Sequence, residues 1–213
     1  MRIAIIGAGN VGGGLAAAAT KAGHDVVLSA SDPASAQQRA ATTGATAAGS
    51  NAEAVRDADV VVLAVPGSAV ADVVGELTET LAGKVVINAA NALTPDYSDL
   101  FTGNTSLAES VQKQVPQARV VSALGTVFAS RYADPIEGGQ PVQAFMAGDD
   151  ADAKATVGQL VESLGFRPVD AGSLRFARSL EEMAFLNISL NATNGWTWQS
   201  AFALVGPTAA QES

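Results

Sequence analysis

The start of the chain contains the feature that most restricts how it folds. An apolar run, Arg2–Ile6, leads into a glycine-rich segment, and an alanine-rich helical stretch, Leu15–Ala22, follows; the segment is Gly7-Ala8-Gly9-Asn10-Val11-Gly12. At this spacing Gly7 makes the tight turn out of the strand, Gly9 lets the backbone approach a pyrophosphate, and Gly12 lets the helix pack closely on the strand. The helix N-terminus offers free N–H groups and the positive end of its dipole to phosphates. The segment therefore predicts a dinucleotide-binding unit.

The residues that follow alternate between short apolar runs and helical patterns. After a second strand, Asp25–Ser29, the pair Asp32-Pro33 predicts a helix start with Asp32 as the N-cap. The run Asp59–Val65 is apolar after its first residue, which is typical of a central parallel strand buried on both faces. Alternating strands and helices predict an α/β fold, a doubly wound parallel sheet of the Rossmann type with a small α+β C-terminal portion.

The alternation becomes irregular in the second half of the chain, and we place a domain boundary at residue 124. Residues 1–124 are predicted to form the dinucleotide-binding domain. Residues 125–213 are predicted to form a small C-terminal domain packed on it, which completes the binding site and contributes to a dimer interface. This part ends in a helical region from Leu174 to about Val205, with a break expected near Asn194-Gly195.

Charge and composition exclude several classes of partner and chemistry. The net charge of −9 disfavours nucleic acid, because a phosphate backbone needs a basic face. The chain has no cysteine and one histidine, so we predict no metal-binding residues and no Cys/His nucleophile. His24 follows the first helix, at the end of the strands opposite the expected nucleotide crevice, and is predicted to be structural.

The same features bear on where the protein works. No apolar run reaches the roughly 18 residues that a membrane-spanning helix requires. Met1-Arg2 leads directly into the first strand, so we expect no signal peptide and no contact with a membrane. Because the chain also lacks cysteine, we expect a cytoplasmic protein.

The scarcity of nucleophiles and bases favours one type of reaction. Hydride transfer between two bound redox rings requires two carbons held close, aligned and dry, and little acid–base chemistry. We therefore predict no catalytic side chain as such. Reduction of a carbonyl or imine usually needs a proton donor as well, for which Tyr97, Tyr132 or a lysine are candidates. A reductase of that kind or of a flavin, and a non-catalytic regulator that binds NAD(P)H, remain alternatives.

Motifs along almost the whole chain resemble the NADPH-dependent coenzyme F420 reductases (F420H2:NADP+ oxidoreductases). The glycine segment is shared with many dehydrogenases, whereas the helix start Ala147-Gly148-Asp149-Asp150 and the turn at residues 164–174 are more particular to this family. Further matching segments are Leu63-Ala64-Val65-Pro66, Val120-Val121-Ser122-Ala123-Leu124-Gly125-Thr126 and Arg178-Ser179-Leu180-Glu181. The resemblance implies a nicotinamide dinucleotide, NADP or NAD, on the first domain and coenzyme F420, a deazaflavin, facing it.

The resemblance also assigns residues to the two sides of the site. Together with the glycine segment, the predicted cofactor-binding residues are Gly7, Ala8, Gly9, Asn10, Val11, Gly12, Ser29, Ala30, Ser31, Ala64, Val65, Pro66, Asn88 and Ala89. The residues predicted to line the acceptor side are Leu124, Gly125, Thr126, Val127 and Phe128, together with the start of the C-terminal helix.

Two positions depart from the family pattern. The family commonly has a serine–arginine pair after the second strand, and that arginine binds the 2′-phosphate of NADP; here the segment is Ser29-Ala30-Ser31-Asp32, with no cation before Arg39. Asp32 is close enough to bind the ribose of NAD, as an alternative to its N-cap role. The choice between NAD and NADP is therefore left open. At Gly125 relatives carry histidine or asparagine, so a side chain that faces the redox centre is missing.

The terminal helical region carries more apolar residues than one groove requires. A large apolar helical surface often marks a contact between chains, so we expect a homodimer. The residues concerned are Phe185, Leu186, Ile188, Leu190, Trp196, Trp198, Phe202 and Leu204.

Overall fold

The computed structural model describes residues 1–206, and the last part of the predicted C-terminal domain, 207–213, lies outside the described residues. The strands are Arg2–Ile6 (β1), Asp25–Ser29 (β2), Thr46–Ala47 (β3), Val60–Leu63 (β4), Val85–Asn88 (β5), Arg119–Ala123 (β6), Ile136–Glu137 (β7), Gln140–Pro141 (β8), Gln143–Gly148 (β9) and Arg167–Asp170 (β10). The α-helices are Asn10–Lys21 (α1), Pro33–Thr43 (α2), Asn51–Val55 (α3), Val70–Glu76 (α4), Thr78–Leu81 (α5), Leu107–Gln114 (α6), Ala151–Ser163 (α7) and Ala177–Asn194 (α8).

Eight strands form one sheet in the order β10-β9-β6-β5-β4-β1-β2-β3. All pairs from β3 to β6 are parallel, whereas β9 pairs antiparallel with β6 and β10 is parallel to β9. The predicted fold class is confirmed. The strand order reverses at β1, which has β2 on one side and β4 on the other, so the crevice at the carboxyl ends of these strands is where a nucleotide binds in such folds.

Both faces of the central strands are covered by helices, as their uninterrupted apolar sequences predict. All four residues of β4 are fully buried; Val60 and Val62 belong to the core cluster that includes α1 and α7, and Val61 and Leu63 to the one that includes α4 and α6. Burial of this apolar surface stabilises the sheet. The sheet continues past residue 124, because β9 and β10 extend it, and the division into two domains there stays a prediction.

The last helix is shorter than the sequence pattern predicts. A one-turn 3-10 helix, Leu174–Phe176, precedes α8, and α8 ends at Asn194 because Gly195 adopts a left-handed conformation with φ +65°. The predicted break is confirmed, but the continuation of the helix to Val205 is wrong: residues 196–206 form an irregular segment, which we call the C-terminal strap. No helix within residues 1–206 has both the length and the hydropathy needed to cross a bilayer.

Candidate functional site

The turn between β1 and α1 has the geometry that a dinucleotide requires. Gly7 has φ +116°, and a Cβ there would collide with the carbonyl group of Ala64. A Cβ at Gly12 would collide with the carbonyl oxygen of Gly7, so only glycine lets α1 pack this closely. At Gly9, in contrast, a Cβ would have no heavy atom within 4 Å. This open space at the N-terminus of α1 fits a pyrophosphate.

A cleft of about 640 Å³ begins at this turn and extends to the residues predicted to line the acceptor side. Its walls come from the N-terminus of α1, the ends of β4 and β5, residues 124–129 and one face of α8. Of the predicted residues, it brings together Gly9, Asn10, Val11, Ala64, Val65, Pro66, Ala89, Leu124, Gly125, Thr126, Val127 and Phe128. Both halves of the predicted site therefore share one cavity.

The other predicted residues lie beside this cleft rather than in its wall. Gly7 and Ala8 belong to the turn itself, and Gly12 lies in the first turn of α1. The hydroxyl of the fully buried Ser29 donates a hydrogen bond to Asn51 Oδ1 at 2.8 Å, and the amide Nδ2 of the buried Asn88 donates to the carbonyl oxygen of Ala90 at 3.0 Å. Ala30 and Ser31 follow β2, at the same edge of the sheet, with Ser31 exposed.

Asp32 acts as the predicted N-cap of α2. Its carboxylate accepts hydrogen bonds from the N–H groups of Ala34 (3.2 Å) and Ser35 (3.1 Å) and from the Ser35 hydroxyl (2.6 Å). The Ser35 hydroxyl, together with these N–H groups, lowers the pKa of Asp32 below its ordinary value. The loop after β2 thus presents an ionised carboxylate and no cation.

A hydrogen bond from a side chain to the backbone holds the loop on the acceptor side in place. Leu124 has φ +66°, which ends β6 and turns the chain into the cleft. Asn91 Nδ2 donates to the carbonyl oxygen of Gly125 at 2.9 Å, and a Cβ at Gly125 would lie 3.2 Å from Asn91 Oδ1. A larger side chain at position 125 therefore has to displace Asn91, which also lines the cleft.

The resemblance assigned the start of the C-terminal helix to the acceptor side, but the residues of α8 that line the cleft lie in the middle of that helix and were not predicted for this role. Ala184, Asn187 and Ile188 line the cleft, and Trp198 of the C-terminal strap packs edge-on against Phe128 with 5.6 Å between ring centroids. A helical pattern shows that a helix has an apolar face but not which cavity that face meets, so no local signal could have identified these residues.

The cleft contains very little titratable chemistry. Among the described residues that line it, Tyr97 is the only one with a titratable side chain. Tyr132 is buried against Phe166 (ring centroids 5.8 Å apart) and absent from the cleft lining, and burial raises its pKa well above the ordinary value. Of the two tyrosines considered as proton donors, only Tyr97 therefore lines the cleft.

A buried acid lies directly behind the acceptor side. Glu181 of α8 is 2% exposed, and its Oε1 accepts a hydrogen bond from the N–H of Leu107 at 2.8 Å, at the N-terminus of α6. Burial raises the pKa of Glu181 to about 7, against the opposing effect of the N–H groups of Leu107 and Ala108. Glu181 Oε2 and Thr126 Oγ1 have no hydrogen-bond partner among the described residues, and both residues line one small void.

One cation lies against the glycine turn. Arg39 of α2 is half-buried, and its Nε donates a hydrogen bond to the carbonyl oxygen of Ala8 at 3.2 Å. Its side chain crosses α1 at Gly13, where a Cβ would lie 2.6 Å from Arg39 Cδ and 2.7 Å from Nε. Arg39 is far from the turn along the chain, so no local pattern predicts this contact.

His24 lies where the sequence predicts, at the amino-terminal edge of the sheet. Its Nε2 is 2.8 Å from the hydroxyl oxygen of Ser163, and its Nδ1 is 3.3 Å from the N-terminal amine of Met1. Desolvation and, to a lesser extent, the positive N-terminus lower its pKa. Asp150 caps α7 by accepting from the N–H of Ala153 at 2.7 Å.

Comparison with known proteins agrees with this geometry. Residues 2–92 match the sequence model of the family described as "NADP oxidoreductase coenzyme F420-dependent". The chain is 31% identical to the F420-dependent NADP reductase of Methanothermobacter marburgensis over 215 aligned residues, covering 91% of this chain and 94% of that protein.

Solved structures give the same result. A proposed F420-dependent NADP reductase from Arthrobacter sp. FB24 superposes with a TM-score of 0.85 at 31% identity, covering 96% of this chain and 100% of that one. An imine reductase from Pseudomonas sp. (TM-score 0.69, 20% identity, covering 92% of this chain and 63% of that one) shares the fold alone. The resemblance predicted from the sequence is confirmed: this chain belongs to the family of coenzyme F420-dependent NADP oxidoreductases.

Proposed function

We propose that this protein transfers a hydride between NADPH and coenzyme F420. The observation that carries the proposal is the single cleft in which the phosphate-binding turn at Gly9 and the loop Leu124–Phe128 face a common space. The names and function of the relatives described above point to the same two substrates.

The nucleotide side is proposed to hold the dinucleotide from its pyrophosphate to its nicotinamide. The N–H groups at the start of α1 bind the pyrophosphate beside Gly9, since this is the end of the helix that attracts anions. Ala64, Val65 and Pro66, with Asn88 and Ala89, border the nicotinamide. The residues after β2, Ser29–Ser31, border the adenosine end.

The acceptor side is proposed to hold the planar ring of F420. Leu124–Phe128 form one wall and Ala184, Asn187 and Ile188 of α8 the other. When both substrates are bound, the nicotinamide and deazaflavin rings themselves supply the hydride chemistry. The apolar lining orients the rings and excludes water, and this positioning is the protein's contribution to the rate.

The proposal is tested by following F420 absorbance and fluorescence, which are lost on reduction, in the presence of the protein and NADPH. Gly125→Trp should abolish turnover while dinucleotide binding survives, because the indole has to enter the acceptor side. His24→Ala is the matched control and should leave turnover unchanged, since His24 is at the opposite edge of the sheet. Dinucleotide binding without F420 reduction by the wild-type protein would contradict the proposal and favour a non-catalytic regulator.

A carbonyl, imine or flavin reductase is the second candidate, and the observation in its favour is the phenol of Tyr97 in the cleft wall. Such a reductase needs a placed proton donor, so Tyr97→Phe should then reduce turnover at least about tenfold. For hydride transfer between two redox rings, the same change should have less than about twofold effect. Oxidation of NADPH with a panel of these substrates separates the two candidates.

We further propose that the protein is a cytoplasmic homodimer of two-domain subunits, divided near residue 124. Support for a dimer comes from the exposed apolar face of α8 and the strap: Leu186, Trp196, Trp198 and Leu204 are each at least 44% exposed. A net charge of −9 makes nucleic acid a poor partner.

A further inference from the structure

The nucleotide side lacks the cation that the 2′-phosphate of NADP usually requires. This phosphate distinguishes NADP from NAD, and Rossmann domains that accept it commonly provide an arginine nearby. Here the loop after β2 offers the exposed Ser31 and the ionised Asp32, and the hydroxyl of Ser29 is already bonded to Asn51. A phosphate placed beside Asp32 needs a positive charge from another element.

Arg39 is the first cation after this loop along the chain, and its side chain contacts the glycine turn. It follows the N-cap Asp32 by seven residues, or two turns of helix, so both lie on one face of α2. Helical side chains tilt toward the N-terminus of their helix, and that end of α2 lies at the carboxyl edge of the sheet. The hydrogen bond from Arg39 Nε to the Ala8 carbonyl oxygen shows that the side chain reaches the phosphate-binding turn.

The guanidinium group is held in place with most of its donors free. Gly13 provides the space in which the side chain lies, and the Ala8 carbonyl oxygen fixes Nε. Among the described residues, Nη1 and Nη2 of Arg39 have no hydrogen-bond partner and no carboxylate forms an ion pair with them. A half-buried guanidinium with an oriented fork is suited to binding a phosphate through two parallel hydrogen bonds.

We propose that Arg39 recognises the 2′-phosphate of NADP and so replaces the arginine that is missing after β2. The inference depends on the proposed function only in that it takes NADP as the nucleotide that the protein binds. It assigns a residue outside the predicted site and predicts that the protein prefers NADP to NAD, a choice that the sequence left open. Gly13 is a positioning residue, because any larger side chain there displaces the arginine from the turn.

The experiment compares ligands with and without the 2′-phosphate, by calorimetry, in the absence of F420. The probes are NADP+ against NAD+, and adenosine 2′,5′-bisphosphate against 5′-ADP. The wild-type protein should bind the 2′-phosphorylated member of each pair about 10- to 100-fold more tightly. Arg39→Ala should weaken NADP+ and adenosine 2′,5′-bisphosphate at least about tenfold, a loss of about 1.4 kcal/mol or more, and leave NAD+ and 5′-ADP within about twofold.

Two further variants separate recognition from a structural role. Arg39→Lys keeps the charge but loses the planar fork, so its preference for ligands with the 2′-phosphate should be weaker than that of the wild type but not lost. This variant provides the test even if Arg39→Ala folds poorly. Arg56→Ala removes one exposed positive charge elsewhere and should change neither preference. An equal loss for both members of each pair, or no preference in the wild type, overturns the inference. Failure of the wild type to bind any dinucleotide overturns the proposed function and this inference together.

Discussion

At the scale of single residues, the glycines of the first turn differ in what a side chain would meet. Gly12 has no room for a Cβ because the Gly7 carbonyl group occupies that space. Gly9 has room, and its φ of −71° and ψ of −163° are open to any residue. Folding therefore requires glycine at position 12, whereas only the phosphate requires it at position 9.

This difference gives the first prediction. Gly9→Val should fold with an unchanged melting temperature and bind NADP+ and NAD+ at least about tenfold more weakly, because its side chain fills the space that the pyrophosphate takes. Gly12→Ala, the matched control, should lower the melting temperature through the collision with Gly7. If a folded Gly9→Val protein bound both dinucleotides with the affinity of the wild type, the assignment of the pyrophosphate to this turn would be wrong.

Glu181 gives the second prediction, a pH dependence of stability. Its pKa is about 7 in the folded protein and 4.5 in the unfolded chain, so the folded state holds the proton more tightly. The resulting stabilisation is complete below pH 4.5 and is lost as the pH rises through about 7. Glu181→Gln keeps the buried shape without the charge, so its stability relative to the wild type should rise by about 3 kcal/mol between pH 4.5 and pH 8.

Urea unfolding at several pH values measures this difference. Glu162→Gln changes an exposed glutamate of another helix, α7, and should keep the pH dependence of the wild type. A difference between Glu181→Gln and the wild type that does not vary with pH would mean that Glu181 titrates near its ordinary value.

At the scale of elements, the C-terminal strap depends on two asparagines of α8. The fully buried Asn191 donates from Nδ2 to the Ser200 hydroxyl (2.6 Å) and accepts from the N–H of Trp198 (3.1 Å), while Asn187 Nδ2 donates to the Ser200 carbonyl oxygen (3.1 Å). These bonds bring Trp198 against Phe128, at the rim of the cleft.

The third prediction follows from these bonds. Asn191→Ala should destabilise the protein by about 1–3 kcal/mol, because Trp198 N–H and the Ser200 hydroxyl lose a partner. Asn194→Ala removes an asparagine of the same helix whose side chain, among the described residues, bonds only to the Leu190 carbonyl oxygen, and should cost less than about 0.5 kcal/mol. The free energy of unfolding in urea gives both values; similar losses in the two variants would show that the strap does not depend on Asn191.

The elements also show what could be predicted from the sequence. The alternating strands and helices, the turn at Gly7 and the cap at Asp32 depend on periodicity and spacing within a few residues, so local patterns were enough. Arg39 and Glu181 acquire their positions by packing against distant segments, at Ala8 and Leu107, and no local pattern encodes that. The strap was predicted to be helical because the residues after Gly195 are as apolar as those of the preceding helix. They do not form the hydrogen bonds of a helix.

At the scale of the whole molecule, the fourth prediction concerns assembly. If two copies associate through α8, the exposed Leu186 becomes buried in the interface, and a charge there is costly. Sedimentation of the wild type should give a dimer, and Leu186→Glu should give a monomer. Ile136→Glu, a comparable change at an exposed apolar residue of β7, outside α8 and the strap, should remain dimeric. A monomeric wild type would contradict the proposed homodimer.

The antiparallel pairing of β6 with β9 has a consequence for how this protein can change. Residues 124–142 leave the sheet after Ala123 and return to it at Gln143, on the same edge, as in an enlarged hairpin. A parallel partner would have required a crossover helix at that point. Val127, Tyr132 and Val142 of this segment are buried in one core with α1, whereas its tip, residues 136–140, is exposed. Residues can therefore be inserted at the tip without changing the strand order or that core, which makes the tip a place where evolution or engineering can enlarge this side of the molecule.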